Sequence, residues 1–356
     1  MHRRVVVGIV ALALVLVAGL AAWRLWPRSA FEEAVAVMPQ STLRATWTDW
    51  AQVRTEADGT SLDAGSSSRD VANFLSSAYD QDLTSTSAVA DSTYAMARRF
   101  GFSPVDATWE MYGQAREGAV VALRFGDEVD LAGVERNLRR LGYTPPADGA
   151  GAGGVWAGSA DLVAQIDPTL TPVLQNVVVL PEEGLVLLSD NAAYASSAAD
   201  TATGDADSLA DVGGTTGLAD AAGEPVSAVL YASDFACEAL SMAAADEEDQ
   251  AVAEELVAQS GGVSPLAGLV IALDADRSMT VAMHFESGDQ AEENLRPRLD
   301  LASGEAVGQG GTFADRFRVE EARTDGSRIV MDLRPASGEE ALLSDLTQGP
   351  VLFATC

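Results

Sequence analysis

Lysine is absent from all 356 residues of this chain, and histidine and cysteine occur only twice each. Without lysine the chain lacks the phosphate-binding P-loop, Schiff-base chemistry and Ser-x-x-Lys nucleophiles, because each needs an amine at that position. His284 is the only histidine beyond the first few residues, so a metal site built from several histidines is excluded. A Ser-His-Asp triad would have to use His284, and no G-x-S-x-G motif accompanies it. We interpret His284 as a half-buried structural residue.

The longest apolar run is Val5–Trp23, VVVGIVALALVLVAGLAAW, which contains no charged residue. A helix over this run is roughly 28 Å long, close to the hydrocarbon thickness of a bilayer. Tryptophan and arginine follow at residues 23–28, as is typical of a membrane interface. A cleaved signal peptide is the rival interpretation, but its apolar core usually spans only about 7–15 residues. We therefore predict that residues 1–28 form a short cytoplasmic tail and a retained, single-pass transmembrane anchor, with the bulk of the chain on the extracytoplasmic side.

The remainder of the chain is strongly acidic. Four of the 22 arginines precede Ser29, so 18 arginines face 53 acidic residues beyond it, a formal charge of −35. Such a charge repels nucleic acid and anionic lipid, which makes both poor partners. It favours solubility, and it would attract cations or basic partners.

The pattern of strands and helices repeats along the chain. We predict an α+β fold with two similar lobes, each with an antiparallel sheet and packed helices: a first half over residues 29–200 and a second half over 225–356. Between them, residues 201–224 are rich in small and acidic side chains and are expected to form a low-complexity linker of little packing value. The halves correspond at two places, which indicates an internal duplication. Thr48-Asp49-Trp50 matches Ser233-Asp234-Phe235, and Val121–Leu141 matches Val281–Leu299 with Phe125 over Phe285 and Asn137 over Asn294.

The sequence FGFSPVDATWEMYG at residues 100–113, together with Thr48-Asp49-Trp50 and the preceding Met38-Pro39, carries a family resemblance. On these residues the chain resembles uncharacterised exported or membrane-anchored proteins of actinobacteria. The resemblance covers most of the chain beyond the anchor. It implies a location in the cell envelope and supplies no catalytic residue.

Asp49 and Asp234 are the carboxylates of greatest interest, because the repeat places both where a strand ends and a helix begins. Two carboxylates that meet at a pseudo-dyad could perform acid–base chemistry or hold a cation. An aspartate directly before a helix is also the preferred N-terminal cap, and its charge complements the helix dipole. We expect each of these carboxylates to cap its own helix, well separated from the other. Convergence across a groove would instead indicate a hydrolase acting on wall glycan.

Cys237 and Cys356 are the only cysteines, and neither lies in a C-x-x-C motif. In an oxidising compartment they can form a single disulfide that ties the C-terminal end of the chain to the second half. The alternative is a buried thiol on a helix and a free one. We predict the disulfide.

No cofactor-binding motif is evident. Gly149–Gly154 matches the pattern G-x-G-x-x-G, but a helix and two prolines precede it where a dinucleotide site needs a strand. We interpret it as a loop. The sequence thus favours a non-enzymatic envelope module, joined to the membrane through its N-terminal helix, that binds or scaffolds an unknown envelope protein or wall component. The alternatives are a carboxylate-based hydrolase acting on cell-wall glycan and a cation-binding envelope protein.

Overall fold

Eleven strands form one antiparallel sheet in the computed structural model, which describes residues 28–62, 65–147 and 153–356. The strands are β1 (Arg44–Thr48), β2 (Ala107–Gln114), β3 (Ala119–Phe125), β4 (Trp156–Ala157), β5 (Asn176–Leu180), β6 (Leu185–Ser189), β7 (Ser227–Ala232), β8 (Gly268–Leu273), β9 (Met279–His284), β10 (Phe317–Asp325) and β11 (Arg328–Pro335). Their order across the sheet is β10-β11-β9-β8-β7-β1-β2-β3-β6-β5-β4. The α+β class is therefore as predicted.

The two halves of this sheet have the same topology. Outward from the centre, the first half runs β1-β2-β3-β6-β5 and the second runs β7-β8-β9-β11-β10. The two series meet where β1 pairs with β7 in antiparallel orientation, with Thr48 opposite Ser227 and Arg44 opposite Tyr231. We predicted a separate sheet for each half, but the two halves share one continuous sheet. In the described residues β10 is an edge strand, so the short β4 has no counterpart in the second half.

Helices cover both faces of the sheet. They are α1 (Ala30–Ala36), α2 (Trp50–Glu56), α3 (Ser68–Asp80), α4 (Thr93–Phe100), α5 (Leu131–Leu141), α6 (Ala160–Ile166), α7 (Ala192–Ala202), α8 (Thr215–Ala222), α9 (Phe235–Leu240), α10 (Glu247–Ser260), α11 (Gly288–Leu301), α12 (Phe313–Arg316) and α13 (Leu342–Thr347). Buried residues of α1, α7 and α8 belong to the smaller core on one face. The other helices contribute to the larger core on the opposite face.

The segment 201–224, expected to be a linker, is part of the packed body. Its helix α8 buries Leu218, Ala219 and Ala222 in the smaller core, against β8 and β9. Small side chains allow this helix to approach the sheet closely, which the low-complexity composition concealed. Residues 351–355 are also part of the packed body. They contain a short 3-10 helix, Leu352–Ala354, whose residues are buried.

One loop joins the halves on the larger-core face. The Asp82 carboxylate accepts hydrogen bonds from the backbone N–H and the hydroxyl of Ser344 in the second half. The Leu83 carbonyl accepts a bond from the Ser227 hydroxyl at 2.6 Å. These contacts are buried or half-buried, so they add to the β1–β7 ladder in fixing one half on the other.

The predicted anchor, residues 1–28, lies outside the described residues apart from Arg28. Within the part of the chain that the structure describes, no helix is long and apolar enough to cross a bilayer. Most of the predicted loop at residues 149–154 also lies outside the described residues.

Candidate functional site

Asp49 caps helix α2, as its position before the helix predicts. One carboxylate oxygen accepts a hydrogen bond from the Gln52 backbone N–H at 2.9 Å, and the other accepts one from the Gln52 side-chain amide at 3.0 Å. Both bonds are local, so the side chain serves the start of its own helix.

Asp234 differs from its counterpart. It precedes α9, but its backbone already has helical angles, and its carboxylate makes no capping hydrogen bond. The residue before it, Ser233, has a positive φ of 52°. This tight turn leaves the exposed Asp234 side chain outside the capping position. The expectation that both aspartates cap their helices is correct for Asp49 and wrong for Asp234.

The sheet keeps these two carboxylates apart. Asp49 follows the end of β1, where Thr48 pairs with the first residue of β7, whereas Asp234 follows the last residue of β7. They therefore lie at opposite ends of the ladder. Five ladder residues at about 3.4 Å each span roughly 17 Å. Glycosidase carboxyl groups lie only about 5–10 Å apart, so this pair does not form such a site.

Cys237 and Cys356 are joined by a disulfide, as predicted, with their Cα atoms 5.6 Å apart. The bond fixes residues 351–356 to α9. The Thr355 hydroxyl reinforces it by accepting a hydrogen bond from the Met242 backbone N–H at 3.0 Å.

Arg298 on α11 also binds the segment 351–356. Its guanidinium is fully buried and donates to the carbonyls of Phe353, Thr355 and Ser264. No carboxylate pairs with it among the described residues, and burial lowers its pKa to about 9. Backbone dipoles therefore compensate the charge, and this depends on the segment 351–356 staying in place.

A cavity of about 470 Å³ lies beside this fixed segment, in the second half. Four parts of the chain form it: the turn Met242–Ala245 with Asp249 in the first turn of α10, the loop 307–309, Arg316 at the end of α12, and residues 345–350 from the end of α13 onward. The volume lies within the range of small-molecule sites. A cavity of similar volume beside α3 is lined by polar side chains alone.

Arg316 organises the polar side of this cavity. Its guanidinium donates to the side-chain oxygen of Gln309 at 3.0 Å and to the backbone carbonyls of Gln309 and Gly310. Asp345 lies 3.5 Å from the same group. The Gln309 amide in turn donates to the Pro350 carbonyl at 3.1 Å. The network fixes the loop 307–310 against the segment that follows α13.

Two further polar clusters lie outside this cavity. The His284 ring forms a hydrogen bond with the Ser327 hydroxyl at 3.2 Å. Burial lowers the pKa of His284, and the positive charge of Arg328 lowers it further. No carboxylate bonds to this ring in the described ranges, so the pair lacks the acid that orients a catalytic histidine.

The other cluster surrounds Glu110 on β2, which is fully buried in the first half. Its carboxylate accepts hydrogen bonds from the Trp50 indole at 2.9 Å, the Ser87 hydroxyl at 2.7 Å and the Ala88 backbone N–H at 2.6 Å. Burial raises the pKa of Glu110, and the bonds from Ser87 and Trp50 partly offset that rise. All its partners are donors on the protein itself, so the group serves the fold.

Sequence reasoning missed the cavity because its walls come from four separated stretches. The only local signal is the glycine-rich loop at 308–311, where Gly308 has a φ of 77° and lies against the Asp249 carboxylate. A loop of this kind has many explanations, and the sequence alone does not single out a binding site.

No protein family, curated protein or solved structure matches this chain. Within the described residues, no group of three or more histidine, cysteine, aspartate or glutamate side chains could hold a metal ion.

Proposed function

We propose that this chain is a membrane-anchored extracytoplasmic module of the cell envelope that binds a small ligand and performs no chemistry on it. The apolar run Val5–Trp23 and its aromatic border support the anchor, and the Cys237–Cys356 disulfide supports an oxidising location. The single observation that carries the binding function is the cavity beside Arg316, whose position is fixed by the hydrogen bonds to Gln309.

The same proposal includes an internal duplication as the origin of the fold. The equal strand order of the two halves supports it, as do the positions of Asn137 and Asn294 on equivalent helices α5 and α11. The cavity beside Arg316 and the disulfide both lie in the second half, whereas the cavity beside α3 has no apolar lining residue, so we assign the ligand to the second half. The alternative of a wall-glycan hydrolase loses its basis with the separation of Asp49 and Asp234.

The location is tested with a membrane-impermeant protease added to intact cells whose wall has been removed. We expect degradation of the chain beyond residue 28, and full protection would contradict the topology.

The binding function is tested by the thermal stability of the full chain in detergent against a set of small cationic, neutral and anionic molecules. At least one should stabilise the chain, and the stabilisation should be lost in Ala244→Trp, which places a large ring at the exposed rim of the cavity. Failure of the whole set would contradict a small-ligand module.

A further inference from the structure

We propose that the cavity beside Arg316 binds its ligand through an alkylammonium or guanidinium group. This rests on the proposed binding function and specifies the chemistry of the ligand. The cavity offers carboxylate acceptors, whereas the terminal nitrogens of its arginine already bond to the protein.

Three of the five N–H donors of Arg316 already bond to the protein. Both of its terminal nitrogens donate to Gln309 or to the Gly310 carbonyl, and only 18% of the side chain is exposed. An anionic ligand at the two terminal nitrogens would compete with these bonds, and it would meet Asp345 at the same guanidinium. The positive charge of Arg316 therefore interacts mainly with groups of the protein itself.

The acceptors are available. Asp249 lines the cavity, and its carboxylate accepts no hydrogen bond from any described residue. One of its oxygens lies next to Gly308, where an added Cβ would be only 3.0 Å away. Asp345 keeps 45% of its side chain exposed and contacts Arg316 at no closer than 3.5 Å. Two carboxylates against one compensated guanidinium leave the cavity net negative, which suits a cationic donor.

Part of the cavity wall is apolar. Met242, Val307 and Pro350 line it, and Met242 is almost fully buried. A short aliphatic chain packs against such a wall while its charged end faces the carboxylates. With about 470 Å³, the cavity accepts a small molecule or one side chain of a larger one.

The test uses agmatine, which carries an amine and a guanidinium on a four-carbon chain, and titrates it calorimetrically into the full chain in detergent. We expect saturable binding of one equivalent and no binding of butane-1,4-diol, which lacks the charges. The double variant Asp249→Asn/Asp345→Asn should weaken agmatine binding at least tenfold.

The matched control is Glu292→Gln/Glu293→Gln, which removes two exposed acids elsewhere in the second half. It should bind agmatine as the unmodified chain does. Equal weakening in both double variants would show attraction to the acidic surface in general and overturn the proposal. Denaturation curves of both variants establish that they remain folded.

The result also separates the ligand class from the function. If agmatine does not bind but a neutral or anionic molecule does, and Ala244→Trp abolishes that binding, the cationic class is wrong and the binding module stands. If neither agmatine nor any other small molecule binds, both proposals fail.

Discussion

In the first half, Trp50 of α2 donates its indole N–H to the buried Glu110 of β2. In the second half, Phe235 takes the position of Trp50 in the repeat and stacks on Tyr231, with ring centroids 6.5 Å apart. Glu110 of β2 pairs with Leu123 of β3. In the second half, Met283 corresponds to Leu123 and pairs with Leu269, so Leu269 takes the position of Glu110. One half thus has tryptophan with glutamate, and the other has phenylalanine with leucine. A buried indole N–H needs an acceptor, so donor and acceptor are present together or absent together.

The two halves also use different interactions to hold a loop or terminal segment in place. Glu110 also holds Ser87 and Ala88, and the loop that contains them reaches the second half through Asp82 and Leu83. The first half therefore uses a buried polar network to fasten its loop across the junction. The second half uses a disulfide and Arg298 to fasten the segment beside its cavity. One topology has been stabilised by two kinds of device, and each can be removed separately.

The largest expected effect is the loss of the disulfide. Cys237 and Cys356 are 119 residues apart, so the bond closes a long loop in the unfolded chain and stabilises the fold by about 4–5 kcal/mol. Cys237→Ser/Cys356→Ser should lower the free energy of unfolding by up to that amount, measured by chemical denaturation. Reduction of the unmodified chain should reproduce the loss. An unchanged midpoint would show that Arg298 and Phe353 hold the segment without the bond.

Removal of Glu110 comes next. Glu110→Ala leaves one buried and two half-buried donors without an acceptor, at about 1–3 kcal/mol for each group that stays unsatisfied. We expect a loss of about 2–4 kcal/mol in the free energy of unfolding. Leu269→Ala, the matched change in the second half, creates a cavity and costs about 2–5 kcal/mol. In a Glu110→Leu background, Trp50→Phe should recover only the part of the loss that the indole N–H causes, because Ser87 and Ala88 still lack their acceptor. Independent effects of these two substitutions in a double-mutant cycle would contradict the coupling.

Glu110 also predicts a pH dependence. Because burial raises its pKa above the value in the unfolded chain, the folded state binds the proton more readily in the window between the two. The contribution of Glu110 to stability is therefore greatest below the unfolded pKa and falls as the pH rises through the folded pKa. Relative to Glu110→Gln, the unmodified chain should lose stability as the pH rises above about 4.3, the usual pKa of a glutamate carboxyl. A constant difference across that range would show that the three donors cancel the effect of burial.

The two asparagines test the equivalence of the halves. Asn137 donates to the Phe100 carbonyl at the end of α4, and Asn294 bonds to Ser264 in the loop after α10. Both tie the helix after the third strand of a half to the segment before its second strand. Asn294 is almost fully buried and makes two such bonds, with a third to the Gln290 carbonyl of its own helix, while Asn137 is half-buried. Asn294→Ala should cost about 2–3 kcal/mol and Asn137→Ala about 1 kcal/mol in the free energy of unfolding. The reverse order would contradict this assignment.

The sequence predicts the local elements of the two halves but not how the halves join. Asn137 over Asn294 and Phe125 over Phe285 were visible because they recur at matching places in local elements. The joining of both halves into one sheet was not, since the β1–β7 pairing connects Arg44 with Tyr231 across the whole first half. The cavity was hidden for the same reason, because Asp249, Arg316 and Asp345 meet only after folding. The composition of residues 201–224 led to a wrong prediction. We took its many alanines and glycines as a sign of weak packing, whereas in the structure small side chains let α8 pack closely on the sheet.

The smallest effect concerns the two aspartates with which the repeat was first recognised. Asp49 caps α2 through Gln52, whereas Asp234 makes no capping bond. Asp49→Ala should lower the free energy of unfolding by about 1 kcal/mol, and Asp234→Ala should change it by less than about 0.5 kcal/mol, both by chemical denaturation. Asp49→Asn should retain most of the stability, because asparagine also caps, and this separates capping from charge. Equal losses at the two positions would restore their equivalence, and they would mean that the turn at Ser233 gives way to a capping geometry in solution.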